Sequence, residues 1–147
     1  NGGIKTNVVP DCCEIIVDRR LVPGETKQNC RLQIEQMLEK LKEKDKNFRY
    51  SYEITTYCPP ALINEDEKIV RVLARNVAEV SGKSPLLKGF EATCEASLIM
   101  EYAQIPTVIY GPGRIEQAHT INEYIEIEQL QKAAEIYASC FVDLLCC

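Results

Sequence analysis

The chain has 147 residues, a formal net charge of −5 and a charged fraction of 27%. That length is one ordinary domain, and the acidic balance with scattered basic residues excludes nucleic acid as the main partner. No apolar run approaches the roughly 18 residues of a membrane-spanning helix, so no membrane partner is expected. The hydrophobic fraction of 46% suffices to bury roughly 68–70% of the unfolded surface in a core. No basic, apolar leader opens the sequence, and a cytoplasmic location is expected.

Eight cysteines are a high count. They fall at Cys12, Cys13, Cys30, Cys58, Cys94, Cys140, Cys146 and Cys147, with no C-x-x-C pair to suggest structural zinc. Cys30 and Cys140 sit on apolar helix stripes. Reduced thiols acting as small hydrophobes are the favoured reading, and a disulfide scaffold is the minority one.

In chain order, Ile4 to Val8 and Cys13 to Val22 read as two strands joined at the turn residues Pro10 and Asp11. Cys13, Ile15 and Val17 alternate with Glu14, Ile16, Asp18 and Arg20 at the two-residue period of a half-covered sheet. Pro23 and Gly24 stop the second strand, and Thr26 is a plausible N-cap. Cys30, Ile34, Met37, Leu38 and Leu41 then make one helical stripe. Phe48, Tyr50, Tyr52, Ile54 and Thr56 alternate with polar residues as a further strand.

Cys58-Pro59-Pro60 breaks both ladder and helix, and a domain boundary is placed there. The following helix is capped by Asn64 or Asp66, buries Ile69, Val70, Leu73, Val77 and Val80, and ends at Ser81-Gly82. Pro85 to Glu91 reads as a short strand, Cys94 to Ala103 as a helix and Pro106 to Tyr110 as a buried strand. Leu130, Ala133, Tyr137, Cys140, Phe141 and Leu144 mark a final helix. The expected fold class is α/β. Residues 1–60 form an α+β half with an antiparallel sheet and helix, and residues 61–147 form part of a mainly parallel α/β domain.

The loop between the last strand and last helix holds two glycines, a proline and the only histidine, His119. A glycine-bent loop at a strand end is a common place for chemistry. His119 with Glu116, Glu123 or Glu95 nearby is a weak signal for catalytic zinc, which needs three protein ligands and an open position. Activation of Ser97, Thr93 or Cys94 by His119 is weaker still, without a G-x-S-x-G elbow. Gly111-Pro-Gly113 lacks the Lys-Ser/Thr of a phosphate loop. Arg19 and Arg20 could hold a carboxylate through the guanidinium fork or simply pair with surface acids.

Two stretches carry a family resemblance. Gly2-Gly-Ile-Lys-Thr-Asn-Val-Val-Pro-Asp11, continuing through Glu14-Ile-Ile-Val-Asp-Arg-Arg-Leu-Val-Pro-Gly-Glu25, resembles a segment of one zinc-dependent superfamily. Its members are aminoacylases, acetylornithine deacetylases, succinyl-diaminopimelate desuccinylases and carboxypeptidases. Gly111-Pro-Gly-Arg-Ile-Glu-Gln-Ala-His-Thr-Ile-Asn-Glu-Tyr124 is similar to that superfamily's F-G-P-G…A-H-x-P-D/N-E-Y stretch. The resemblance spans essentially the whole chain.

It implies that residues 1–60 are the second half of a lid or dimerisation domain and residues 61–147 the C-terminal portion of a zinc hydrolase domain. His119 matches a ligand to one of two zinc ions, with cobalt or manganese as alternatives. The remaining ligands and the general base are expected upstream of Asn1, so no catalytic base is expected within the chain. Asn7, Arg20, Thr93 and Gly111 match substrate-side positions. Glu95 stands where many relatives have Asp, a deacetylase-like detail. Ser97 replaces an Arg and Ile121 a proline.

The implied activity is cleavage of the amide bond of an N-acyl amino acid by a homodimer pairing through the lid, with this piece inactive alone. A dipeptidase, carboxypeptidase or desuccinylase of the same superfamily, or a non-catalytic dimerisation module, is the alternative.

Overall fold

The computed structural model describes residues 2–3 and 5–146. Four helical stretches organise them. They are α1 (Lys27–Lys44), α2 (Lys68–Ser81), a short α3 (Ala96–Leu98) that runs into a π-helical turn (Ile99–Ala103), and α4 (Ile127–Leu145). A 3-10 turn spans Ile115–Gln117.

The helix signals in the sequence correspond to real elements. The Thr26 side-chain oxygen accepts the Asn29 N–H at 3.1 Å, which occupies one of the four unpaired donors at the start of α1. Gly82 takes the left-handed conformation at φ 71° just past α2, where a Cβ would be strained. The start of α2 is later than the Asn64 or Asp66 cap predicts. Asn64 Oδ1 instead accepts the Asp66 N–H at 3.0 Å, and the Glu67 N–H bonds the Asn64 carbonyl at 3.1 Å. Those four residues form a turn, and the helix begins at Lys68.

The core lies between α2 and α4. Val70, Ala133, Ile136 and Cys140 are buried there. On α4 the buried positions fall three and four residues apart, one face of a 3.6-residue helix. The sequence stripe on α4 lies a little off this face. Ile136 is 1% exposed, whereas Leu130 and Phe141, expected on the stripe, are 52% and 62% exposed. Full burial of a side chain like Ile136 stabilises by about 1.5–3 kcal/mol. Asn76 is the buried polar group of this core. Its amide donates to the Val72 carbonyl at 2.9 Å and to Asp143 Oδ2 at 2.7 Å, tying α2 to α4. Arg75 also pairs with Asp143.

The first sixty residues are held differently. Tyr50 donates to Glu39 at 2.6 Å and Tyr52 to Glu35 at 2.7 Å, so the segment after α1 folds back along that helix through hydroxyl–carboxylate bonds. Arg31 pairs with the same Glu35 at 2.9 Å, and the Lys27 ammonium lies 5.1 Å from the centre of the Tyr57 ring. Among the described residues α1 makes no helix–helix contact with α2 or α4.

The expected α/β architecture is not what the chain adopts. Among the described residues there is no strand, and the ladder is reduced to one isolated antiparallel bridge between Gly2 and Cys13. Neither the antiparallel sheet of residues 1–60 nor the parallel sheet of 61–147 is present. Ile4, where the first strand was to begin, lies outside the described residues.

The physical reason is legible in the exposures. Ile15, Ile16 and Val17 are 78%, 92% and 76% exposed, so neither face of that run is covered. Ile109, expected in a buried strand, is likewise exposed. Alternation specifies which side chains share a face. A strand additionally needs a neighbour for its N–H and C=O groups, and none of these runs has one in ladder register.

Candidate functional site

The glycine–proline–histidine loop is tied to α4. Before it, the Tyr110 carbonyl accepts the Tyr137 hydroxyl at 2.6 Å, and the two rings meet edge to face at 5.6 Å. Burial pushes the Tyr110 hydroxyl above its ordinary pKa, with the neighbouring Tyr137 adding to it. At the turn, Gly113 has φ 90°, a conformation that side chains rarely adopt, and its N–H donates to Gln129 Oε1 at 2.9 Å. Helix α4 therefore grips the loop twice, through Gln129 in its first turn and Tyr137 two turns later. Gly111 carries no such demand, since nothing lies within 4 Å of where its Cβ would stand.

The chain then makes the 3-10 turn. Gln117 N–H bonds the Arg114 carbonyl at 3.0 Å, and both the N–H and the hydroxyl of Thr120 bond the Gln117 carbonyl at 3.3 and 2.8 Å. His119 sits in the turn that follows, between Gln117 and Thr120, with φ 62°, a left-handed conformation that is uncommon for a residue other than glycine. Its backbone N–H donates to Glu123 Oε2 at 3.1 Å. The imidazole itself is exposed and takes no hydrogen bond from the protein among the described residues. Glu116 pairs with Arg114 at 3.4 Å. Its carboxyl is held below the usual range first by its own backbone N–H, then by Arg114.

The substrate-side residues of the sequence reading fall into separate places. Arg20 donates through Nη1 to the Thr93 hydroxyl at 3.3 Å, across 73 residues of sequence, so these two are brought together. Arg20 also approaches Asp18 at 3.6 Å. Its neighbour Arg19 behaves as a structural arginine. It pairs with Glu25 at 2.8 Å while Glu25 also closes the turn by accepting the Val22 N–H at 3.0 Å. Those bonds, the backbone one first, hold the Glu25 carboxyl below its ordinary value. Asn7 is exposed in the turn closed by the Val8 N–H on the Lys5 carbonyl at 3.3 Å. Among the described residues no hydrogen bond or ion pair joins Asn7, Gly111 or His119 to the Arg20–Thr93 pair.

A second link between the first sixty residues and the rest is Cys58 Sγ, 3.0 Å from Ser97 Oγ. Ser97 also donates to the Cys94 carbonyl at 3.3 Å, at the entrance to α3.

Among the described residues no group of three His, Cys, Asp or Glu side chains converges to hold a metal ion. An exposed imidazole with no protein partner, on a backbone held in an unusual conformation, fits the donor chemistry of a single ligand. The supports of the loop were not legible from motif spacing. Glu123, Gln129 and Tyr137 act on backbone groups, and such contacts leave no residue-type pattern beyond the four-residue step from His119 to Glu123.

Residues 1–143 match Peptidase family M20/M25/M40. The chain belongs to that family, so the resemblance carried by the two motifs holds at the family level. Curated relatives include an acetylornithine deacetylase of Myxococcus xanthus, 28% identical over 93% of this chain and 34% of the relative. An acetylornithine deacetylase of Proteus mirabilis is 31% identical over 92% of this chain and 33% of its own length. The N-formyl-4-amino-5-aminomethyl-2-methylpyrimidine deformylase of Bacillus subtilis is 24% identical over 92% and 34%. The chain thus spans about a third of the length of these relatives. No solved structure matches it significantly. No helix among the described residues is long and apolar enough to cross a membrane.

Proposed function

We propose that this chain is the C-terminal part of a metal-dependent amidohydrolase acting on N-acyl amino acids, in the manner of an acetylornithine deacetylase. Residues 1–60 are read as the second half of its lid and residues 61–147 as the end of its catalytic domain. The observation that carries the reading is the family match across residues 1–143, with two acetylornithine deacetylases among the relatives.

In this reading His119 is one ligand of a two-zinc site, for which cobalt or manganese could substitute. The general base and the other ligands belong to the remainder of the longer protein. Bound zinc would lower the pKa of a shared water and polarise the scissile carbonyl. In the same reading Arg20 takes the substrate carboxylate through its fork while the Thr93 hydroxyl accepts a hydrogen bond from the guanidinium on one side. Asn7 and Gly111 lie on the substrate side, and the parent enzyme is a cytoplasmic homodimer pairing through the lid.

The test is turnover of a panel of N-acetyl and N-succinyl amino acids by the full-length protein. His119→Ala is expected to lower kcat/KM by orders of magnitude, and near-normal turnover in that variant contradicts the assignment. The 147-residue chain by itself is expected to be inactive; measurable turnover by it would show that the site is complete within these residues.

A further inference from the structure

Glu123 lies in the histidine loop, yet the proposed reaction gives it no task. Its position is specific. The carboxylate oxygen Oε2 takes the backbone N–H of His119 at 3.1 Å, four residues back along the chain. His119 is held at φ 62°. A non-glycine residue persists in the left-handed region only where its surroundings over-determine it. Two groups of bonds do so here. One is the Thr120–Gln117 pair of contacts that closes the turn after the 3-10 segment, and the other is the Glu123 carboxylate on the His119 N–H.

The backbone angles of a residue set the direction of its Cα–Cβ bond. Fixing them at His119 leaves the imidazole only its own side-chain rotations. An exposed ring on a mobile loop would lose more freedom on binding a ligand than one on a fixed backbone. The bond asks of the Glu123 side chain only an accepting oxygen at this place, which a glutamine amide would also supply.

We propose that Glu123 is a positioning residue that fixes the His119 backbone so that its imidazole is presented to a divalent metal. The proposal rests on the reading of His119 as a metal ligand. Glu123 acts through that residue's N–H and is not itself a ligand.

The experiment is a zinc titration of the full-length protein against a chromophoric chelator, on wild type, His119→Ala, Glu123→Ala and Glu123→Gln, with melting curves of the metal-free forms. Glutamine keeps the accepting oxygen and removes the charge. Glu123→Ala is expected to weaken zinc binding by about 10–100-fold, the usual cost of losing a group that orients a ligand. Glu123→Gln is expected to stay within a factor of about three of wild type. The metal-free melting temperature is expected to be the same in both.

If Glu123→Gln loses zinc as fully as Glu123→Ala, the carboxylate acts by charge or as a ligand, and positioning through the N–H is overturned. A Glu123→Ala protein whose metal-free form melts well below wild type would also overturn it, since the effect would then be general. If His119→Ala weakens zinc binding while Glu123→Ala does not, the positioning role alone falls. If His119→Ala leaves zinc binding unchanged, the ligand reading beneath it falls.

Discussion

The two ends of this chain are stabilised by different physics. In residues 61–147, α2 and α4 bury Val70, Ala133, Ile136 and Cys140 against each other, with Asn76 and Asp143 bonded inside the seam. In residues 1–60 the contacts are polar and near the surface, as in Tyr50–Glu39, Tyr52–Glu35 and Arg19–Glu25. Large apolar side chains there stay open, with Val9 at 89% and Ile16 at 92% exposure. Exposed hydrogen bonds and ion pairs contribute little net stability, whereas buried apolar surface contributes in proportion to its area. The expectation is a firm C-terminal helix pair and a first region of low local stability. The histidine loop is attached to the firm part, through Tyr137 and Gln129 of α4. Asn7 and Arg20 are carried by the other.

The largest effect should therefore come from the seam. Ile136→Ala is expected to lower the unfolding free energy by about 2–5 kcal/mol in denaturant titrations. Met37→Ala, at a half-open position of α1, should change it by no more than about 0.5 kcal/mol. Equal effects would remove the contrast between the regions.

Next in size is the polar part of the seam. Asn76→Ala removes the amide that bonds both the Val72 carbonyl and Asp143, and should lower stability by less than Ile136→Ala, since Arg75 still pairs with Asp143. The same network fixes a pH dependence. The Asn76 hydrogen bond first, and Arg75 second, hold the Asp143 carboxyl below its ordinary value. A depressed carboxylate contributes stability above its unfolded pKa of about 3.9, and this is lost as the pH falls through the lower folded value. Acid unfolding followed by circular dichroism should thus begin below about pH 4 for wild type, and Asp143→Asn should flatten that limb.

A more local effect is expected at the cap of α1. Thr26→Ala should cost about 1 kcal/mol and speed amide exchange in the first turn, with no change in α2 or α4.

What the sequence discloses follows the range of the interaction concerned. The Thr26 cap, the Gly82 stop and the apolar periodicity of α1, α2 and α4 are local and were readable from a few neighbouring residues. The strands were not, because a ladder depends on a second segment whose register no local pattern specifies. The helix read over Cys94 to Ala103 starts later and ends in a π turn. There the Gln104 side chain caps the Met100 and Glu101 carbonyls at 3.1 and 2.7 Å.

Ile136 was missed because apolar residues recur on more than one face of α4, and only packing against α2 decides which face turns inward. At the site, the histidine stood out by its rarity and its motif. The Arg20–Thr93 contact joins positions 73 residues apart. Glu123 acts on a backbone group that is the same in every residue.

The central claim is that His119 is a metal ligand of a hydrolase that extends beyond these 147 residues. Zinc content of the purified full-length protein by elemental analysis, with and without His119→Ala, tests it most directly. About two zinc ions per chain in wild type, falling in the variant, is the predicted result. Zinc-free wild-type protein, or the same content with the histidine replaced, would contradict it.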